Sequence, residues 1–125
     1  MAEEPIPFHR AGRPPATVRQ EGQRPSAEVT FDRGELDIIL QFYARCVAAG
    51  VARDYAIGFG TEAASFAIFR RTAEVPLWRV EKRPRLRKAQ GQWAVVAAGG
   101  LILKRGHELR QVLKVLEPKL LKAVD

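Results

Sequence analysis

Residues 55–71 read Tyr-Ala-Ile-Gly-Phe-Gly-Thr-Glu-Ala-Ala-Ser-Phe-Ala-Ile-Phe-Arg-Arg, and the fold class turns on them. Tyr55, Ile57 and Phe59 alternate with Ala56 and Gly58, the period of two that belongs to a strand with one face on a core. Gly60-Thr61-Glu62 turns the chain. Beyond the turn, Phe66, Ile68 and Arg70 face one way while Ala67, Phe69 and Arg71 face the other, so the stretch predicts an antiparallel hairpin. The same rhythm continues downstream. Leu77 to Lys82 reads as a third strand, bounded by Glu74-Val75-Pro76 and by Pro84, which has no N–H for a ladder. Trp93 to Ala97 reads as a fourth. Gly99-Gly100 permits a tight reversal into a short fifth strand from Leu101 to Lys104.

On either side the period changes to that of a helix. Asp32 and Glu35 have the spacing of a capping box, with Phe31 and Leu36 as the accompanying staple. Leu36, Ile39, Leu40, Tyr43 and Val47, widened by Ile38 and Phe42, form an apolar stripe, and Asp37, Gln41 and Arg45 the wet face. Gly50 suits a left-handed C-terminal cap. Near the other end a helix is expected from about His107, with Leu109, Val112, Leu113, Leu116 and Leu120 opposite Arg110, Lys114 and Lys119. Pro118 requires a kink or a fresh turn. The fold expected is α+β: an antiparallel four- to five-stranded meander sheet with an N-terminal and a C-terminal helix packed on one face.

Composition divides the 125 residues in two. Residues 1–28 carry five of the eight prolines, and Ile6, Phe8 and Val18 are their only sizeable apolar side chains. Too little apolar area is present to offset the entropy of ordering, so 1–28 is expected to be a disordered Pro/Arg-rich arm. Residues 29–125 are expected to form a single α+β domain. The net charge is +7, from 21 basic and 14 acidic residues. The arm holds four of each sign, which leaves 17 against 10 on the domain. A basic folded body suits an anionic partner, and it also serves solubility alone.

Several chemistries find no support. One cysteine and two histidines provide neither an intramolecular disulfide nor metal-ligand spacing, so no metal is expected. Neither G-x-x-x-x-G-K-[ST] nor G-x-G-x-x-G occurs. His9 lies in the arm, Cys46 reads as a packing residue, and the carboxylates form no dyad, so no catalytic residue and no cofactor are expected. No run approaches the roughly 18 apolar residues of a membrane span, and Met1-Ala-Glu-Glu-Pro5 lacks a basic signal-peptide start. The expected location is cytoplasmic, with no membrane partner.

The remaining signal is positive charge. Arg79, Lys82, Arg83, Arg85, Arg87 and Lys88 face the single acid Glu81 within ten residues. Such a strand and loop can present a ridge to phosphates, or act as a solvated edge that discourages strand addition. With Arg71 added, and Phe69 as a stacking platform on an uncovered sheet face, these residues form a candidate surface for nucleic acid or another polyanion. The same uncovered face suits a protein partner or a homodimer equally. Lys104, Arg105 and His107, around Gly106, make a candidate phosphate turn, with a plain capping role for His107 as the alternative. The expectation is a non-catalytic cytosolic binding protein, with a protein-interaction or homo-oligomeric module as the second reading.

The blocks Thr30-Phe-Asp-Arg-Gly-Glu-Leu36, Arg53-Asp-Tyr-Ala-Ile57, Glu74-Val-Pro-Leu-Trp-Arg-Val-Glu-Lys-Arg-Pro84 and Gly99-Gly-Leu-Ile-Leu-Lys-Arg-Gly-His-Glu-Leu109, with Phe69-Arg-Arg71, occur in this order. Together they resemble a bacterial family, domain of unknown function 2794, over roughly residues 29–118. The resemblance implies a bacterial, cytosolic protein and carries over no activity, cofactor or catalytic residue.

Overall fold

The computed structural model describes residues 8–10, 28–71 and 75–124. The first helix, α1 (Arg33–Ala48), begins at the expected capping box. The Glu35 backbone N–H donates to Asp32 Oδ1 at 2.8 Å, and the Asp32 N–H donates to Glu35 Oε1 at 2.9 Å. Gly50 closes the other end with φ of 78°, a conformation that costs a residue without Cβ little. The buried line runs through Ile39, Phe42 and Cys46. Val47, expected on that stripe, is 45% exposed. Each residue turns the helix by about 100°, so Cys46 takes the inward position and Val47 moves to its margin.

Five strands follow: β2 (Asp54–Phe59), β3 (Ala64–Phe69), β4 (Trp78–Lys82), β5 (Trp93–Ala97) and β6 (Ile102–Gly106). They pair antiparallel in chain order, which makes the expected meander. A three-residue strand, β1 (Phe8–Arg10), lies outside β2 with Phe8 opposite Gly58 and Arg10 opposite Ala56. It falls within the stretch expected to form the arm; residues 1–7 and 11–27 lie outside the described residues. Two boundaries differ from expectation. The last strand reaches Gly106, and β3 stops at Phe69, so Arg70 and Arg71 leave the ladder.

The C-terminal helical region is α2 (Leu109–Leu113), a 3-10 turn at Lys114–Leu116, and α3 (Glu117–Val124). Pro118 sits in the first turn of α3, where a missing N–H leaves no helical bond unmade. The fresh turn expected there is present. Arg45 near the end of α1 makes a two-pronged pair with Glu117, with one bond at 2.8 Å. That hydrogen bond and charge hold the Glu117 carboxyl below the ordinary glutamate range.

The apolar face of the sheet packs on the helices, as expected. Ile39, Phe42 and Cys46 meet Phe66, Ile68, Val80 and Val95, with Leu109, Val112, Leu113 and Leu116 completing the core. The Tyr55 and Phe66 rings stack at 4.7 Å, and Tyr43 meets both edge-on. Burial and the charge of Asp54 raise the Tyr43 pKa above its usual value. The second face of the sheet is not open. Ala56, Ala67 and Phe69 form a small cluster there, and Ser65 and Glu81 are buried beside it.

The connection between β4 and β5 begins with a 3-10 turn, Pro84–Leu86, and folds back against β6. A Cβ on Gly91 would lie 2.3 Å from the Gly106 carbonyl carbon, so the two backbones touch where only glycine fits. No helix of the described residues is long and apolar enough to cross a membrane.

Candidate anion-binding site

The six cations between Arg79 and Lys88 do not form a ridge. Successive strand residues point to opposite faces, which sends Lys82 one way and Arg79 and Glu81 the other. Lys82 turns toward α1. Its ammonium donates to Glu35 Oε1 at 2.7 Å and to the Thr30 carbonyl at 2.9 Å, and it lies 5.8 Å from the Trp93 ring centroid. Its side chain is 14% exposed. On the second face Glu81 accepts from Arg79 at 3.1 Å and from Arg83 at 3.2 Å, with its own side chain only 6% exposed. A buried carboxylate is stable when cations and hydrogen bonds replace its water, and these two arginines do that. Arg85 meets Glu62 across the adjoining turn at 3.2 Å, in solvent. Arg87 and Lys88 are exposed and make no ion pair among the described residues.

Phe69, expected as an exposed stacking platform, is 7% exposed. It packs with Ala56 and Ala67, so no ring is presented to a base. The uncovered sheet face proposed for a protein partner is absent for the same reason: Ser65, Ala67 and Ala94 have no exposure at all.

The candidate phosphate turn does not converge. Lys104 and Arg105 are consecutive residues of β6 and so lie on opposite faces. The Arg105 guanidinium donates to the Gly91 carbonyl at 3.2 Å, fastening the β4–β5 connection to β6. His107 is exposed, and the helix after it is only five residues long.

Cys46 is a packing residue, as its position in α1 suggested. It is fully buried, and burial pushes its thiol pKa up to about 12, away from the thiolate a nucleophile needs. Among the described residues no group of three or more His, Cys, Asp or Glu could hold a metal ion.

One basic feature escaped the reading of the sequence. Arg53 immediately precedes β2, and Arg70 and Arg71 immediately follow β3. The pairing of Asp54 with Phe69, and the bond of Arg53 N–H to the Phe69 carbonyl at 2.9 Å, bring those ends together. With Gly50 they line an open depression of about 640 Å³, within the size range of small-ligand sites. All three arginines are exposed, and none pairs with a described carboxylate. Like charges held together repel, modestly in water, and an anion between them removes that cost. Of the residues expected to bind phosphate, only Arg71 belongs to this group. Arg53 precedes Arg70 and Arg71 by 17 and 18 residues, so only strand register reveals the cluster.

The family model described as protein of unknown function (DUF2794) matches residues 29–113. The chain belongs to this family. The DUF2794 match takes in α1, β2 to β6 and α2, and with them Arg53, Arg70 and Arg71. No curated protein and no solved structure matches the chain.

Proposed function

We propose that this DUF2794 protein is a non-catalytic binding domain for nucleic acid or another phosphate polyanion, engaged at the depression formed by Arg53, Arg70 and Arg71. One observation carries the reading: three exposed guanidiniums share a concavity and lack acidic partners among the described residues. Guanidinium forks match phosphate oxygens in geometry and keep their charge at any physiological pH. The formal charge of +7 adds long-range attraction for a polyanion. Arg87 and Lys88 contribute to that field from the opposite end of the sheet, whereas Arg79, Lys82, Arg83 and Arg85 act mainly within the fold.

Fluorescence anisotropy with labelled single-stranded and duplex oligonucleotides tests the reading. Binding is expected near 50 mM salt and is expected to weaken steeply by about 200 mM, because phosphate contacts release counterions. The combined change Arg53→Ala, Arg70→Ala and Arg71→Ala is expected to abolish most of it. Absence of binding to every oligonucleotide at the lower salt would falsify the proposal.

A further inference from the structure

The number and placement of the arginines say which kind of phosphate fits. A phosphodiester carries one negative charge and two non-bridging oxygens. A phosphate monoester carries roughly −1.5 to −2 near neutral pH and offers three. Arg53, Arg70 and Arg71 supply three planar forks and three positive charges around one concavity. A strand threaded along its backbone needs cations in a line, and the line is missing. The depression sits where β2 begins and β3 ends. Arg87 and Lys88 follow β4, whose last residue, Lys82, pairs with Ala64 at the start of β3, so they lie at the other end of the sheet.

The surroundings agree with an end group entering from solvent. Among the described residues no atom beyond Gly50's chain neighbours lies within 4 Å of where its Cβ would stand, which leaves the rim beside the arginines open. The Arg53 backbone N–H is already bonded to Phe69, so that donor is not offered to a ligand and its guanidinium must serve instead.

We infer that the Arg53–Arg70–Arg71 depression is a site for a terminal, dianionic phosphate monoester. Such a group is found both at the 5′ end of a nucleic-acid strand and on a free mononucleotide. The inference rests on the polyanion reading above and narrows it.

The test measures a 5′-phosphorylated oligonucleotide against the 5′-hydroxyl strand of the same sequence, with adenosine monophosphate as competitor. The phosphorylated strand is expected to bind about tenfold tighter, the effect of one good additional charged contact. The preference is expected to fade as pH falls below about 6, where the monoester takes up its second proton while arginine stays charged. It is also expected to vanish in the Arg53→Gln, Arg71→Gln double variant, whose melting temperature serves as the check on folding. Competition by the mononucleotide supports the site with free nucleotides as a source, and its failure to compete supports the site with strand ends alone. Equal affinity for the two strands, lost alike in the variant, overturns the inference and leaves polyanion binding intact. Binding of neither strand nor mononucleotide overturns both. Binding of the mononucleotide alone supports the site and removes the polyanion.

Discussion

Ser65 illustrates how a single side chain can be at odds with its surroundings. Its hydroxyl is fully buried and has no hydrogen-bond partner among the described residues, a state that costs about 1–3 kcal/mol. Ser65→Ala removes the polar atom and almost no volume, so it is expected to raise stability by up to about 1 kcal/mol in urea titration. Cys46 makes a second prediction. Its thiol is expected to resist iodoacetamide at pH 8 in the folded protein and to react fully in denaturant. Its pKa is raised from an ordinary 9.0 to about 12 in the fold, so on raising the pH the unfolded chain releases this proton first. Stability is therefore lost as pH climbs from 9 toward 12, and that alkaline slope is expected to be shallower in Cys46→Ala. The burial of Cys46 is near the limit of what sequence can show. One helical step separates it from Val47, and an apolar pattern does not distinguish which of two neighbours faces inward.

At the scale of elements, two close contacts hold the sheet to its surroundings. Gly91→Ala is expected to cost at least about 3 kcal/mol, since its φ of 112° is strained for any side chain and the new Cβ would meet the Gly106 backbone. Gly99→Ala is the control. Its φ is 87° with open space around it, so only the conformational cost of about 1 kcal/mol remains. Lys82→Met is expected to lower stability by roughly 1–3 kcal/mol, because Glu35 loses its cation and the start of α1 its tie to β4. All three effects are read from thermal or urea melts. Local signals were enough to identify these elements. The capping box at Asp32, the alternation from Tyr55 to Phe69 and the break at Pro118 all act within a few residues. Lys82 and Glu35 lie 47 residues apart, and nothing local announces their pairing. The strand β1 was hidden for a related reason: three residues of ordinary composition gain structure only from the edge they join.

For the whole molecule, charge is better described by where it is cancelled than by how it is spaced. The run from Arg79 to Lys88 looked like the binding surface because two of the acids that pair with it, Glu35 in α1 and Glu62 in the β2–β3 turn, lie far from it along the chain. The arginines left over are brought together only by folding. Replacing Arg53, Arg70 and Arg71 by alanine is expected to flatten the slope of log affinity against log salt by about 2–3, with little change in melting temperature. Replacing Arg79 and Arg83 is expected to do the reverse, strongly lowering stability and affecting affinity only through net charge. The order of the sheet has a bearing on how the chain reaches this state. From β2 to β6 every ladder joins strands that are consecutive along the polypeptide and separated by short connections, so each of these hairpins can close soon after its second half leaves the ribosome. Such proximity keeps the entropic barrier to zippering low and limits how long an unsatisfied strand edge is offered to neighbouring nascent chains.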